Sequence, residues 1–335
     1  MTANRNFKRK VRARAAKTGQ SYSTALRHFR LGHFRPTPTR EAMPESDHVR
    51  LAVAQTTMRS EPRDSAEFRA GGRDIRRMMS EAHDAGATLV HFPESAICVP
   101  GKYILSGGDP AEAGPANWDL FAWGAQRQEL TAIAALVGEL GLWTVLGSTH
   151  RLTSPHRPHN SLYVISDQGR LVTRYDERML SNTKITYLYT PGSSPQTFTV
   201  GGLRFGLLLG MEVHFPELFL EQERLDVDCV LFSTHGPGER PDDGTFAAEA
   251  RAHAAANRYW VSYAGPTWGV PSGVISPTGH WDARCLEVGR PGLALVDLDS
   301  SRENGARRWR RTARSGIYEP HFVPEDRRSN DVHSF

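Results

Sequence analysis

The sequence predicts a layered α/β domain over residues 48–300, and two observations support this fold class. Short apolar runs that are typical of buried strands alternate along the chain with stretches whose apolar residues repeat at helical spacing. Turn residues such as Asp167-Gln168-Gly169 join other strands directly into hairpins. Strands that alternate with helices, with hairpins among them, are typical of sheets covered by helices.

The first half of this domain is predicted to contain five strands and two helices. Apolar residues alternate over residues 49–54, which predicts a strand, and they repeat at helical spacing over residues 64–86, although Gly71-Gly72 weakens that helix prediction. The other predicted elements are a strand over residues 88–92, a helix from Leu130 that Gly141 ends, a strand over residues 143–147, and hairpin strands over residues 160–166 and 170–175.

The second half is predicted to add five strands and one helix. The strands cover residues 203–209, 227–233, 259–264, 273–275 and 291–298, and the helix covers residues 246–257. Pro277-Thr278-Gly279 predicts a turn between the last two strands. Residues 301–335 are rich in arginine and show no clear periodicity, so we expect a C-terminal tail that wraps around the domain or moves freely.

The formal net charge of +4 conceals an uneven distribution of charge. Residues 1–40 contain eleven Lys and Arg residues and no acidic residue, which leaves 30 basic and 37 acidic residues in 41–335, a net charge of −7. A cationic segment of +11 is therefore joined to an acidic body. Such asymmetry suggests a tail that contacts an anionic partner.

Residues 1–40 are predicted to form a basic helical arm and a linker. Phe7, Val11 and Ala15 recur every four residues and so share one helical face, and residues 36–39 alternate Pro and Thr as linkers do. Three interpretations of this basic arm stay open. The arm could bind nucleic acid phosphates, or it could be an Arg-rich organelle transit peptide. The third interpretation is a solvated extension or an arm that contacts other protomers.

Composition excludes several classes of protein. A hydrophobic content of 39% and a charged content of 23% exclude wholesale disorder and collagen-like repeats. No apolar run approaches the roughly 18 residues that span a bilayer, and no apolar secretory segment follows the N-terminal charges, so no membrane association is predicted. Cys98, Cys229 and Cys285 are odd in number and far apart, which favours free thiols in a reducing, cytoplasmic setting. Neither a metal nor another cofactor is predicted.

Polar residues follow three of the predicted strands at the point where each strand ends. Glu94 follows Phe92-Pro93, Glu177 lies in Tyr175-Asp176-Glu177-Arg178, and Glu212 lies in Gly210-Met211-Glu212. In layered α/β sheets, ligands bind at the carboxyl ends of strands. These positions are therefore the candidate functional site, although a single Glu at a strand end is more often a solvated cap.

Taken in their order and spacing, these segments resemble the nitrilase, or carbon–nitrogen hydrolase, superfamily. The resemblance covers most of residues 48–300 and implies an αββα sandwich whose helical layers usually pair between protomers, so a homo-oligomer is expected. It rests on residues 49–55, Gly86-Ala87-Thr88-Leu89-Val90-His91-Phe92-Pro93-Glu94, Gly147-Ser148-Thr149, Asn160-Ser161, Tyr175-Asp176-Glu177-Arg178, Phe215-Pro216-Glu217-Leu218 and Ser276-Pro277-Thr278-Gly279.

The resemblance implies a site built from a Glu, a Lys and a Cys, in which the Glu is a general base, the Lys stabilises the tetrahedral intermediate, and the Cys forms a thioester. Glu94 matches the general base. Glu177 stands at the position of the Lys, and Gly210 stands at the position of the nucleophilic Cys. Glu212 matches an acidic residue that commonly follows two positions after the Cys.

Other residues could complete this altered site. Lys184 follows Glu177 by seven residues, and three interpretations stay open. The Glu and the Lys of the family site have exchanged positions, or a small shift of the loop brings Lys184 to the position of the family's Lys, or Lys184 is a surface lysine. Cys98 lies four residues beyond Glu94, so it could approach the pocket. Cys229 lies inside a predicted apolar strand, and Cys285 lies in a predicted late hairpin. Three further residues follow the ends of predicted strands and are expected to line the pocket: His214, His235 and Trp268.

By resemblance, the ligand is a small amide, carbamoyl compound or nitrile. Gly210 has no side chain and stands where the family has its nucleophilic Cys. We therefore expect that the usual thiol mechanism is lost. Two hypotheses stay open for the pocket: a hydrolase that uses water activated by Glu94 or Glu212, or the Cys98 thiol, and a non-catalytic relative that binds a ligand. A third hypothesis is a scaffold protein whose basic arm contacts nucleic acid or another acidic partner.

Overall fold

Two six-stranded mixed sheets lie face to face in the computed structural model, which describes residues 48–101, 105, 114–236, 244–299 and 305–331. The basic arm lies outside these residues. The strands are β1 His48–Gln55, β2 Leu89–His91, β3 Trp143–His150, β4 His159–Ile165, β5 Leu171–Asp176, β6 Thr197–Val200, β7 Leu203–Leu209, β8 Cys229–Ser233, β9 Trp260–Ala264, β10 Gly273–Ile275, β11 Trp281–Arg284 and β12 Gly292–Asp299.

Parallel strands form the centre of each sheet. The first sheet has the order β12-β1-β2-β3-β4-β5, with β1, β2 and β3 parallel. The second has the order β11-β10-β9-β8-β7-β6, with β7, β8 and β9 parallel. Since the carboxyl ends of parallel strands meet at one edge of a sheet, the loops after β2, β7 and β8 are the expected place for a site.

Helices cover the outer faces, which confirms the predicted αββα sandwich. The helices are α1 Ser65–Asp84, α2 Trp123–Leu140, α3 Pro216–Arg224, α4 Thr245–Asn257, α5 Gly305–Arg314 and α6 Arg327–Asn330. Short 3₁₀ turns cover Trp118–Leu120, Gly210–His214 and Glu319–His321, and a π-helical turn covers Lys184–Leu188. None of the helices in the described residues is long and apolar enough to cross a membrane.

The alternation in β1 explains the layering. Leu51 and Val53 belong to the core that the two sheets share, whereas Ala52 and Ala54 belong to the core under α1 and α2. Because successive strand residues point to opposite faces, one short apolar run contributes to two cores. This is why the strands are apolar throughout rather than only at every second position.

Helix α1 runs without a break through Gly71 and Gly72, so the glycine pair does not interrupt it. A Cβ at Gly71 would collide with the Ile97 carbonyl, and one at Gly72 with the Glu129 carboxylate. The two glycines therefore permit close packing of α1 against the loop after β2 and against α2. At the start of the helix, Asp64 accepts a hydrogen bond from the Ala66 N–H at 2.7 Å and caps it.

Two helices differ from the sequence predictions. Helix α2 begins at Trp123 rather than near Leu130, because the buried face of its first turns carries the polar Gln126 and Glu129, which hide the apolar period. Within the predicted C-terminal tail, for which no helix was predicted, residues 305–314 form helix α5. Its periodicity is carried by arginines rather than apolar residues.

Helix α5 lies on an acidic patch beside α3. Arg307 pairs with Asp228 at 3.1 Å, and Arg314 pairs with Glu223 at 2.6 Å. Arg311 also binds the Glu223 carboxylate, which is almost fully buried. Arginines at spacings of four and three residues share one helical face, so α5 packs by charge where the other helices pack by apolar contact.

Candidate active site

Four of the residues singled out in the sequence meet at one point between the sheets. Lys184 Nζ lies 2.6 Å from Glu94 Oε1 and 2.8 Å from Glu177 Oε2, so the ammonium bridges two carboxylates. All three side chains are buried, and the backbone of Gly210 lies directly beside them. We call Glu94, Glu177, Lys184 and Gly210 the charged cluster.

Each member of the charged cluster follows a strand or begins a turn. Glu94 comes three residues after β2, and Glu177 comes directly after β5. Lys184 is the first residue of the π-helical turn, a conformation that is rare and frequently found at functional sites. Gly210 opens the 3₁₀ turn after β7 with a φ of +54°, in the left-handed region that favours glycine.

Neutral donors complete the hydrogen bonding of the two carboxylates. The Asn160 side-chain amide donates to Glu94 Oε1 at 2.8 Å and to Glu177 Oε2 at 2.6 Å. The backbone N–H of His235 donates to Glu94 Oε2 at 3.1 Å. Asn160 lies in a segment that carries the family resemblance, but nothing in the sequence assigns it a role, because it is distant along the chain from both carboxylates.

The space beside Gly210 is filled by the other members of the charged cluster. A Cβ at this position would lie 2.7 Å from Glu177 Oε1, 3.0 Å from Lys184 Nζ and 3.2 Å from Glu94 Oε2. The backbone N–H of Met211 also points at Glu177 Oε1, at 3.3 Å. The Glu177 carboxylate therefore occupies the volume into which a side chain at position 210 would project.

The charged cluster contains two carboxylates and one ammonium, and their pKa values diverge. Burial raises the pKa of Glu94, but His235 and Lys184 outweigh it and lower the pKa to about 2. Burial raises the pKa of Glu177 to about 7, and the neighbouring Glu94 carboxylate adds to that rise against the effect of Lys184. Burial alone would lower the pKa of Lys184, yet the two carboxylates raise it above its ordinary value.

These shifts define the charge state of the cluster near neutral pH. Glu94 is an ionised carboxylate, Lys184 is an ammonium ion, and Glu177 changes its protonation close to pH 7. A protonated Glu177 leaves one positive charge paired with one negative charge. Such a balanced arrangement limits the cost of burying charges.

Glu212 belongs to a second buried arrangement next to the charged cluster. Its carboxylate accepts hydrogen bonds from the Tyr175 hydroxyl, the Arg178 N–H and the Leu209 N–H, each at 2.7–2.8 Å. Burial raises the pKa of Glu212 against the effect of these donors. The contacts tie the end of β7 to the residues after β5, so Glu212 holds together the two segments that carry Gly210 and Glu177.

The three cysteines lie away from Gly210 in the fold. Cys98 packs in the core under α1 and α2, Cys229 lies within β8, and Cys285 follows β11. Burial raises the pKa of Cys98 to about 12 and of Cys285 to about 11, and it also raises the pKa of Cys229. All three thiols are therefore protonated at neutral pH.

The three other residues that were expected to line the pocket lie in two places, at the loop after β8 and beside α4. The His235 side chain lies 4.0 Å from Glu94, and the Trp268 ring lies against Gly236, the next residue. His235 therefore borders the charged cluster, and Trp268 packs against the loop after β8. His214 instead pairs with Glu249 of α4 at 2.6 Å, which places it in the contact between the 3₁₀ turn and α4.

The fold and the arrangement of these residues define a class of protein, and a sequence model described as "Carbon-nitrogen hydrolase" matches residues 50–308. The chain therefore belongs to the carbon–nitrogen hydrolase family, within the nitrilase superfamily. Among curated relatives, Hydrolase Rv0480c of Mycobacterium tuberculosis (strain ATCC 25618 / H37Rv) is 24% identical over 248 residues, which cover 69% of this chain and 79% of the relative.

Solved structures of one amidase share the fold. One is a cysteine-to-alanine mutant of the Nesterenkonia sp. AN1 amidase in complex with butyramide, with a TM-score of 0.63 and 20% sequence identity. The match covers 81% of this chain and 99% of the amidase chain. A second structure of that amidase, with the acetamide moiety of fluoroacetamide covalently added at the active site cysteine, has a TM-score of 0.63 and 18% identity, with the same two coverages.

Proposed function

We propose that this protein binds a small amide, carbamoyl compound or nitrile at the charged cluster and does not form a thioester with it. The observation that carries the proposal is the filled space beside Gly210. A covalent acyl intermediate needs a nucleophile at this position, but the chain has none there, and the Glu177 carboxylate occupies the space. Loss of a covalent nucleophile typically costs several orders of magnitude in rate.

The remaining groups make poor substitutes for the missing thiol. Cys98 is protonated at neutral pH because burial raises the pKa of its thiol to about 12. Glu94 has a pKa of about 2, and its two oxygens are already occupied by Lys184, Asn160 and His235. A general base works best when its pKa is near the operating pH, so Glu94 is a weak base for activating water.

Binding of a small polar ligand is supported by the border of the charged cluster. The half-buried His235 side chain lies 4.0 Å from Glu94, and the Trp268 ring lies against Gly236, the next residue along the chain. An imidazole with an aromatic ring on the same loop suits a small carbonyl compound, which needs a hydrogen-bond donor and an apolar contact. The amidase relatives that bind butyramide have the same fold, and this chain has the same family membership.

Two measurements on the purified full chain test this proposal. The first is ammonia release from a panel of amides and nitriles, which we expect to equal the rate without protein. Release that Glu94→Gln abolishes would contradict the non-catalytic part. The second is saturation-transfer NMR with butyramide, where we expect a signal that Lys184→Met removes and that the exposed control Arg77→Met leaves unchanged. Absence of any butyramide signal would contradict the binding part.

The basic arm supports a separate candidate function, because residues 1–40 contain eleven Lys and Arg residues and no acidic residue. A nucleic acid partner would be held by phosphate contacts, whose strength falls steeply with salt. Binding to a fluorescent DNA or RNA should weaken as salt rises and vanish on deletion of residues 1–40. Binding that persists in the truncated protein would refute a contact through the arm.

Assembly and cellular location belong to the same group of proposals. A homo-oligomer, expected from the family resemblance, should sediment as a multiple of the 37.2 kDa chain. A monomer at micromolar concentration would contradict it. A cytoplasmic location, expected from the three free cysteines, can be tested by fractionating cells that express the tagged protein.

A further inference from the structure

A cavity of about 440 Å³ lies between α2 and the outer face of strands β3, β4 and β5. None of its lining residues belongs to the charged cluster, so it is a separate feature of the fold. Its apolar lining comes from Trp123, Leu130, Ala134, Ile165 and Leu171. The volume falls within the range that small-molecule sites usually have, about 300–1,000 Å³.

Two cations border this cavity without an acidic partner. Arg127 and Arg151 both line it, and no ion pair with either guanidinium is present in the described part of the chain. Arg151 lies over the Trp123 ring, 5.1 Å from the centroid, and this contact holds the cation at the cavity wall. The lining residues include no Asp or Glu, so the cavity is complementary to an anion.

A hydroxyl donor is also available in the lining. Arg174 donates to His150 Nε2 at 2.6 Å, and because a guanidinium only donates, this nitrogen is an acceptor. Burial and Arg174 lower the pKa of His150, so the neutral ring carries its proton on Nδ1. That N–H donates to the Tyr163 hydroxyl oxygen at 2.8 Å, which leaves the hydroxyl hydrogen of Tyr163 free to donate.

The polar residues behind the cavity fix this arrangement. Asp176 accepts from Arg174 Nε at 2.7 Å and from Arg174 Nη2 at 3.0 Å, a bidentate contact that orients the guanidinium toward His150. Arg174 therefore forms its ion pair with Asp176. The charges that remain for a ligand are those of Arg127 and Arg151.

We propose that this cavity binds a small aromatic carboxylate, with the ring against Trp123 and Leu130 and the carboxylate between Arg127, Arg151 and the Tyr163 hydroxyl. The apolar lining selects the ring, and the unpaired guanidinium groups with the free hydroxyl select the negative charge. Because an aromatic carboxylate satisfies both, it fits better than a neutral aromatic compound or a simple anion. The proposal does not rest on the function of the charged cluster.

The test is calorimetric titration of the full chain with 2-naphthoate, compared with its neutral analogue 2-naphthalenemethanol. We expect saturable binding of 2-naphthoate and affinity for the alcohol at least about tenfold lower, since hydrogen bonds to charged groups are the stronger kind. Combined Arg127→Gln and Arg151→Gln substitutions should lower affinity about tenfold or more, and Tyr163→Phe about three- to tenfold.

Matched variants locate the binding. Ala134→Phe should abolish binding because it fills the cavity, while Ala135→Phe, on an exposed position of the same helix, should leave it unchanged. Thermal unfolding of both variants checks that they fold. Equal binding of the alcohol, unchanged binding by Ala134→Phe, or no saturation at millimolar 2-naphthoate would each overturn the proposal. An oligomer that Leu171→Glu dissociates would assign the surface to a second copy and overturn it as well.

Discussion

The charged cluster and the cavity beside α2 both contain charged side chains, but those of the cluster are buried and paired, whereas the arginines of the cavity are exposed. In the charged cluster, Lys184 bridges Glu94 and Glu177, and neutral N–H groups donate the other hydrogen bonds to the two carboxylates. In the cavity, Arg127 and Arg151 line an open space without an acidic partner in the described residues.

In the charged cluster the Glu177 carboxylate fills the space beside Gly210, so the charges of the cluster mainly stabilise one another. The cavity leaves its charges available to a ligand. Paired charges are therefore expected in one part of the sandwich and charges that are available to an anion in another.

The largest expected effect comes from removing the cation of the charged cluster. Lys184→Met leaves Glu94 and Glu177 buried without their shared partner, and breaking a buried ion pair on one side costs about 3–5 kcal/mol. Urea unfolding at pH 7 measures this loss. The control Arg77→Met breaks an exposed pair with Glu81 and should cost about 0.5 kcal/mol or less. A loss below about 1 kcal/mol for Lys184→Met would show that the two carboxylates do not need the ammonium.

A smaller effect is expected when a side chain is returned to position 210. Gly210→Cys places a Cβ 2.7 Å from Glu177 Oε1 on a backbone with a φ of +54°, so it should cost about 1–3 kcal/mol through overpacking and strain. Adding Glu177→Ala removes the obstructing carboxylate and should recover part of that loss. Equal losses for Gly210→Cys in both backgrounds would indicate that Glu177 does not fill this space.

The pH dependence of stability should separate the two carboxylates. The ordinary pKa of a Glu is 4.5, but in the folded protein the pKa of Glu177 is raised to about 7. Its contribution to the free energy of unfolding therefore falls as the pH rises from 4.5 to 7. Glu94 behaves in the opposite way, because its pKa is lowered to about 2, and its contribution rises between pH 2 and 4.5.

Glu177→Gln isolates the first of these contributions. The difference in unfolding free energy between the variant and the unchanged protein should vary between pH 4.5 and 7 and be flat between pH 2 and 4, where Glu177 is protonated in both states. The measurement is urea unfolding across this pH range. A difference that is flat from pH 4.5 to 7 would contradict a raised pKa for Glu177.

Much of the fold could be predicted because the parallel strands are buried on both faces and appear as continuous apolar runs. The start of α2 could not, since Gln126 and Glu129 occupy buried positions that the apolar period assigns to hydrophobic residues. Helix α5 was missed for a related reason. The face that contacts the rest of the domain carries arginines that pair with Glu223 and Asp228, so the helix has no apolar spacing.

The site could be predicted in part. Glu94, Glu177 and Gly210 lie at strand ends and could be located from the chain alone, but the position of Lys184 depends on a π-helical turn that has no simple sequence signal. The two hydrogen bonds of Asn160 to Glu94 and Glu177 join three segments distant along the chain. Such contacts arise from sheet packing and are invisible to local spacing.

The most direct test of the central claim, that Glu177 fills the space of a missing thiol, is intact-mass spectrometry after incubation with fluoroacetamide. We expect no adduct on the unchanged protein. The double variant Gly210→Cys with Glu177→Ala should gain one acetamide adduct at position 210, which peptide mapping would locate. An adduct on the unchanged protein that Glu94→Gln abolishes would contradict the account.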